Sequence, residues 1–244
     1  MNKNNESVIS NLNKTICINR NFLLIDLRNY FNNDGISYDD CKCDGDFDAK
    51  GSTFPAEELP PSNSIITMGS VPFYFPSKEN GDLNNMVLSS QSINVEQRKY
   101  STLYVLGAVD GQNGEVYEEE VTVNMSDGGF EPIYLGLSNW LLPAKYNEKI
   151  AFRCNHMHYP DKGQETLYGK NVPNINSYVE TGNTVFDPFP CDAEKEMEDV
   201  GKSIWRPKMW FQKVILKCDK GISGFTFMDN LNFHIFSMTL EYKE

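Results

Sequence analysis

The chain predicts an all-β fold: an antiparallel β-sandwich with long loops and at most one or two short helices. Three observations predict it. Short apolar runs rich in β-branched and aromatic residues recur along most of the 244 residues, the composition that fits a pleated, half-buried surface. Gly, Asn, Asp and Pro clusters separate them, as turns require. No stretch of helical periodicity alternates with them, so a parallel sheet with crossover helices is not expected.

The elements follow in order. Residues 1–20 are a polar, Asn-, Lys- and Ser-rich arm, and residues 21–244 form one sandwich domain, a size within the roughly 200–250 residues that such folds reach. The first strand is FLLIDL, Phe22 to Leu27, closed by the turn Asn32-Asn33-Asp34-Gly35. Ile65–Met68 and Val71–Phe75 come next, with Pro72 confining the second to an edge or a bulge. Met86–Leu88 and Ser92–Val95 flank a turn, and Ser101–Val109 is apolar enough to be buried on both faces. Glu115–Asn124 and Ile133–Leu137 are joined by Ser126-Asp127-Gly128-Gly129, a hairpin signal. Ile150–His156, Gln212–Cys218 and Phe233–Glu241 complete the strands. The segment at about 160–204 is long and polar, and reads as an inserted loop with one helical turn, Ala193–Val200 capped by Asp192.

Charge and cysteines narrow the classes. A net charge of −12 without a Lys/Arg cluster excludes nucleic acid as a partner and disfavours an anionic membrane surface. No run reaches the roughly 18 apolar residues of a membrane span. The polar N-terminus lacks the apolar core of a signal peptide, so a cytoplasmic location is expected, or a secreted one if the chain is trimmed from a longer parent. Cys17, Cys41, Cys43, Cys154, Cys191 and Cys218 are scattered, and free thiols are expected.

Four constellations carry candidate chemistry. Asp44, Asp46 and Asp48 alternate in a Gly-containing loop, an oxygen-rich arrangement suited to Ca2+; the competing possibility is a solvated acidic turn bonding its own backbone. His156 and His158 stand at i, i+2. They are read as rim residues or partly buried hydrogen-bonders, with a cupin-like metal enzyme as a weaker alternative because Glu165 is spaced too far for that motif. Among the aromatics, Trp140 and Trp205 are placed at the rim, where a sugar's C–H face can stack, while Trp210 belongs to the core. Arg153 and the two histidines would read hydroxyls, although a regular strand points Arg153 away from His156. Glu57-Glu58 and Glu118-Glu119-Glu120 are adjacent runs, from which no glycosidase pair stands out. No hydrolase elbow, P-loop or dinucleotide fingerprint is present.

Read together, YFNNDGIS, GDFDAKGSTFPAEELP, VPFYFPSKENGDLNN, LYVLGAVDGQNG, LSNW and HIFSMTLE, in this order from about Leu24 to Glu241, resemble a β-sandwich accessory module appended to bacterial glycoside hydrolases, beside α-fucosidase-like and α-mannosidase-like domains. The resemblance implies a galactose-binding-like jelly roll, a non-catalytic, lectin-like role, carbohydrate or a glycoconjugate as partner, and one structural calcium. Where the family tends to have Asp before the Trp, this chain has Asn139. The alternative is a structural or self-assembling β-sandwich, a possible homo-oligomer.

Overall fold

The computed structural model describes residues 21–41, 44–111, 117–158, 184–202 and 205–244. The N-terminal arm, Cys17, Cys43, Glu165 and residues 160–183 and 203–204 of the expected insertion lie outside them. Fifteen strands follow in chain order. The first eight are β1 (Phe22–Ile25), β2 (Ile36–Ser37), β3 (Phe54–Pro55), β4 (Ser64–Met68), β5 (Val71–Phe75), β6 (Met86–Leu88), β7 (Ser92–Arg98) and β8 (Tyr100–Val109). The remainder are β9 (Glu118–Met125), β10 (Phe130–Gly136), β11 (Lys149–Arg153), β12 (Val185–Phe186), β13 (Lys208–Ile215), β14 (Ile222–Phe227) and β15 (Asn230–Tyr242). One α-helix, α1 (Ala193–Gly201), and the single 3-10 turns Asp39–Cys41 and Ala56–Glu58 are the helical elements of the described residues.

The architecture is an all-β sandwich. A six-stranded sheet in the order β1-β15-β8-β13-β11, with β6 also on β15, forms its centre. Strands β8 and β15 pair antiparallel from Phe233 opposite Val109 to Tyr242 opposite Tyr100. Both are buried almost without interruption, which is why their sequences run continuously apolar instead of alternating. On one face β5 covers the sheet, with Phe73 edge-on to Phe211 and Phe75 edge-on to Phe152. On the other, the sheet β10-β9-β14-β7 closes the core, and Gln212 donates through Nε2 to the Gly136 carbonyl at 3.0 Å.

Most expected strands are present, and two differences have physical causes. Pro72 sits on β5, the edge of the β12-β4-β5 sheet, where its missing N–H costs no ladder bond. Asp192 caps α1, accepting from the Lys195 N–H at 3.1 Å. Strand β14 was not foreseen, because Gly221 and Gly224 make its sequence read as loop. Gly224 is needed there: a Cβ would come within 2.5 Å of the Ile93 carbonyl oxygen. Strand β12 was not foreseen either, being two residues long and paired in parallel with β4. Cys154, Cys191 and Cys218 are free thiols.

The loop Asp44–Ser52 is pinned to the core by one side chain. Phe47 is buried among Phe54, Trp140, His234 and Phe236, with ring centroids 5.0, 4.7, 4.1 and 6.2 Å away. Phe47→Ala is expected to cost about 3–5 kcal/mol through lost burial and the cavity left behind, read as a lowered urea midpoint with an unchanged denaturant slope.

Candidate functional site

Three segments meet at one end of the sandwich. An isolated bridge joins Thr53 to His158, with N–H to carbonyl bonds of 3.1 Å in each direction. It carries the chain after β11 onto the Ala56–Glu58 turn. There Glu58 is buried, accepts two bonds from the Asn155 N–H at 3.1 and 2.9 Å, and pairs with His156 Nδ1 at 2.7 Å. Glu57 points the other way, its Oε1 accepting from the Asp39 N–H at 2.6 Å and its Oε2 standing 3.8 Å from His158 Nε2. Behind it the Ser37 hydroxyl lies 3.3 Å from His158 Nδ1 and shares a short hydrogen bond with Thr53. Serine, histidine and carboxylate are thus in line, but Ser37, Thr53 and His158 are all buried. No face of the hydroxyls is open to a substrate and 3.8 Å is too long for a hydrogen bond, so the bond that orients Glu57 is the one from the Asp39 N–H.

Lys78 ties the third segment in. It is only 6% exposed, and its Nζ donates to the carbonyls of Ala56 at 2.6 Å and Leu59 at 3.0 Å. Those bonds hold the 77–85 loop against the Ala56–Glu58 turn. Burial pushes the ammonium down to about 8, against the pull of Glu57 and Glu79 in the other direction.

Between these segments lies an open cleft of about 660 Å3 lined by Tyr38, Asp39, Asp40, Glu57, Glu79 and Asn80. Its polar lining is four carboxylates, an amide and a phenol. Burial and the negative charges of Glu79 and Glu57 raise the Tyr38 phenol, keeping it protonated and able to donate. Such a wall accepts hydrogen bonds from hydroxyl- or amine-bearing ligands and repels anions.

The residues singled out from sequence are distributed unevenly around this cleft. His156 and His158 stand beside it, their rings 5.2 Å apart, and both face glutamates of the Ala56–Glu58 turn. Arg153 does not join them: it pairs with Glu196 of α1 at 3.0 Å. Lys208 holds the other oxygen of that carboxylate at 2.9 Å. Burial pushes Glu196 up, but Lys208 and Arg153 outweigh it and keep the group ionised. Trp140 requires correction. It is 1% exposed, because its N–H bonds Val109 and its carbonyl accepts from Lys208, which turns the indole inward onto Phe47 and Phe54. A ring so enclosed has no face to offer a sugar. Trp205 is half-buried and packed against the core and is not among the residues that line the cleft, and Trp210 is fully buried as expected.

The carboxylates Asp44, Asp46 and Asp48 also part company. Asp46 accepts from the Gly51 N–H at 2.8 Å, and Asp48 from those of Lys50 and Ser52 at 3.0 Å each. Both are taken up by a tight turn whose backbone donors need acceptors. Asp44 instead crosses to the Gly81 N–H at 3.0 Å. The three therefore do not form one calcium cage, and among the described residues no group of three or more His, Cys, Asp or Glu is arranged to hold a metal ion. Sequence reasoning passed over Tyr38, Asp39, Asp40, Glu79 and Asn80; the available signal was the density of acids around the PAEELPP turn and the SKENGD loop.

The model of the AziU2-like beta-sandwich domain family matches residues 21–173, more than half of the chain. The chain belongs to that family. The match spans every residue lining the cleft, together with His156 and His158. No curated protein matches the chain.

The depressed Lys78 ammonium makes stability depend on pH with a definite sign. Between about pH 8 and the unfolded value near 10.5 the unfolded chain binds the extra proton, so the Lys78 contribution to stability rises with pH. Denaturation of the wild type and of Lys78→Met across pH 7–10.5 is expected to show the wild type gaining on the variant by on the order of 1–3 kcal/mol. A constant difference would mean that Lys78 is solvated.

Proposed function

We propose that this AziU2-like β-sandwich is a non-catalytic carbohydrate-binding module, lectin-like and suited to act beside a glycan-processing enzyme, as its resemblance to glycoside hydrolase accessory modules implies. The observation that carries this is the lining of the cleft. Asp39, Asp40, Glu57 and Glu79 supply acceptors for sugar hydroxyls, Asn80 supplies both donor and acceptor, and the half-buried Tyr38 supplies an aromatic edge to the wall. The Asp39 N–H holds one oxygen of Glu57 before any ligand arrives, which lowers the ordering cost of binding. The acidity favours neutral or amino sugars over uronic, sulfated or phosphorylated ones.

Calorimetry against neutral, amino and acidic sugars tests this. Neutral or amino sugars are expected to bind and acidic ones not. Glu57→Gln and Tyr38→Ala are each expected to weaken binding about tenfold or more, the scale of one charged hydrogen bond or one stacked ring, with the melting temperature moving little. Absence of heat with every sugar would sink the reading.

A second reading, a protein-contact or self-assembling role, is favoured by one separate observation. On the edge strand β10, Phe130 and Tyr134 project to the same side, 75% and 57% exposed. Sedimentation across a concentration series is expected to show association that Phe130→Ser with Tyr134→Ser abolishes if this surface pairs; a monomer throughout counts against it.

A further inference from the structure

A line of buried polar side chains ties the 77–85 loop, whose Glu79 and Asn80 form one wall of the cleft, to the body of the sandwich. Asp34 Oδ1 accepts from Asn84 Nδ2 at 2.5 Å and from the Ile36 N–H at 3.4 Å. Asn84 Oδ1 accepts from the Gly35 N–H at 2.9 Å and from Asn85 Nδ2 at 3.0 Å, and Asn85 Oδ1 meets His234 Nδ1 at 2.8 Å. The line ends with His234 Nε2 standing 3.8 Å from Asp110 Oδ1. Asp34 is 9% exposed, and both asparagines and His234 are buried. The Gly35 N–H can only donate, so the Asn84 amide turns its oxygen there and its NH2 onto Asp34. Asp34 Oδ1 is therefore an acceptor whether or not the acid is ionised. A proton on this carboxyl belongs on Oδ2, which has no hydrogen-bond partner.

Ionised, Asp34 would be a buried charge with one oxygen lacking any donor. Among the described residues no Lys, Arg or His forms an ion pair with it, and Asp44 and Asp82 act on it as repelling charges. Such a charge costs far more than a buried neutral carboxyl. Asp82 lies on the 77–85 loop itself, so ionisation sets Asp34 against the loop that it anchors, and opening the Asn84 contact would let water reach the charge. We propose that Asp34 is a pH-sensitive latch on the cleft wall: with a proton on Oδ2 it seats Asn84 and holds the 77–85 loop, and on losing that proton it loosens the loop. Burial pushes the carboxyl up to about 6 from its ordinary 3.8, against the pull of the Asn84 and Ile36 bonds and with Asp44 and Asp82 adding to the rise. The folded chain thus holds this proton more tightly than the unfolded one. The resulting stabilisation is full below 3.8, falls as the pH rises, and is lost above about 6. As regulation of binding the latch rests on the carbohydrate reading of the cleft; as a property of the loop it stands apart from it.

The test compares the full chain with its Asp34→Asn variant between about pH 5 and pH 7.5, above the sequence pI of about 4.7. Asparagine copies the protonated acid in shape and lack of charge. As the pH rises, the wild type is expected to lose a few degrees of melting midpoint relative to the variant. The Gly81, Asn84 and Asn85 amides, bonded to Asp44 and to the Asn33 carbonyl, are expected to lose protection from hydrogen exchange about tenfold in the wild type, the scale of one unit of proton affinity. Their protection should stay flat in Asp34→Asn, while Asp127→Asn, at the exposed β9–β10 turn, follows the wild type. The carbon-13 signal of the wild-type Asp34 carboxyl is expected to titrate near pH 6, and with wild-type exchange it decides the question if Asp34→Asn fails to fold. An Asp34 already ionised at pH 5, or loop protection with the same pH dependence in wild type and variant, would overturn the inference. Every readout is taken without sugar, so failure of the latch and failure of the carbohydrate reading are separate outcomes.

Discussion

Everything in this structure hangs on the pairing of β15 with β8. Strand β15 lies at the end of the chain, yet it joins β1, β6 and β8 in one sheet. Both partners are buried on two faces, so the backbone groups that each turns toward the other are satisfied only through this ladder. The sheet therefore completes only when the closing strand arrives, and its contacts are overwhelmingly long-range in sequence. Topologies of this kind pay loop-closure entropy before the hydrophobic return, and fold slowly for that reason. The apolar run from Phe233 to Leu240 is the sequence's answer, since a strand contributing burial on both faces gives the largest gain per residue ordered.

The site is polar chemistry mounted on that sheet by a few aromatic anchors. Phe47 and Phe54 sit in one cluster with Trp140 and Phe236, and each belongs to a segment that carries carboxylates outward. Phe47 is flanked by Asp46 and Asp48, and Phe54 precedes the turn that presents Glu57. A flexible loop of acids would be opened by its own repulsion. Here burial of one ring per loop supplies the opposing free energy, and backbone donors take up the carboxylates that do not face the cleft.

Much of the fold was legible in the sequence, because long apolar runs and proline positions constrain strands through local physics. The limits of Val71–Phe75 and Met86–Leu88 fall where the residues place them. Strand β14 was not legible: its glycines report on the closeness of Ile93, a neighbour distant in the chain. The site was legible only in part. Position at a strand end says that Trp140 is near a rim, but not which way the ring turns, and two backbone bonds to β8 and β13 residues turn it in. Alternation of Asp44, Asp46 and Asp48 suggests convergence only if the loop is extended, whereas it folds into a turn that consumes two of them. His156 and His158 stand out in the sequence because paired imidazoles are conspicuous; their glutamate partners lie about a hundred residues earlier, a separation no local pattern reveals.

The electrostatics of the cleft follow from where the bases went. His156 is turned to Glu58, His158 to Ser37 and Glu57, Arg153 to Glu196, and Lys78 beneath the floor to two carbonyls. Among the described residues these basic groups each hold a segment in place, and the opening is lined by Asp39, Asp40, Glu57 and Glu79. An ordinary surface would mix signs, because unopposed like charges raise the free energy of the folded state. This end of the sandwich tolerates the excess in part because the buried Lys78 ammonium attracts Glu57 and Glu79. The same arrangement leaves the opening with acceptors in excess over donors, so selectivity there falls to ligands that bring donors of their own.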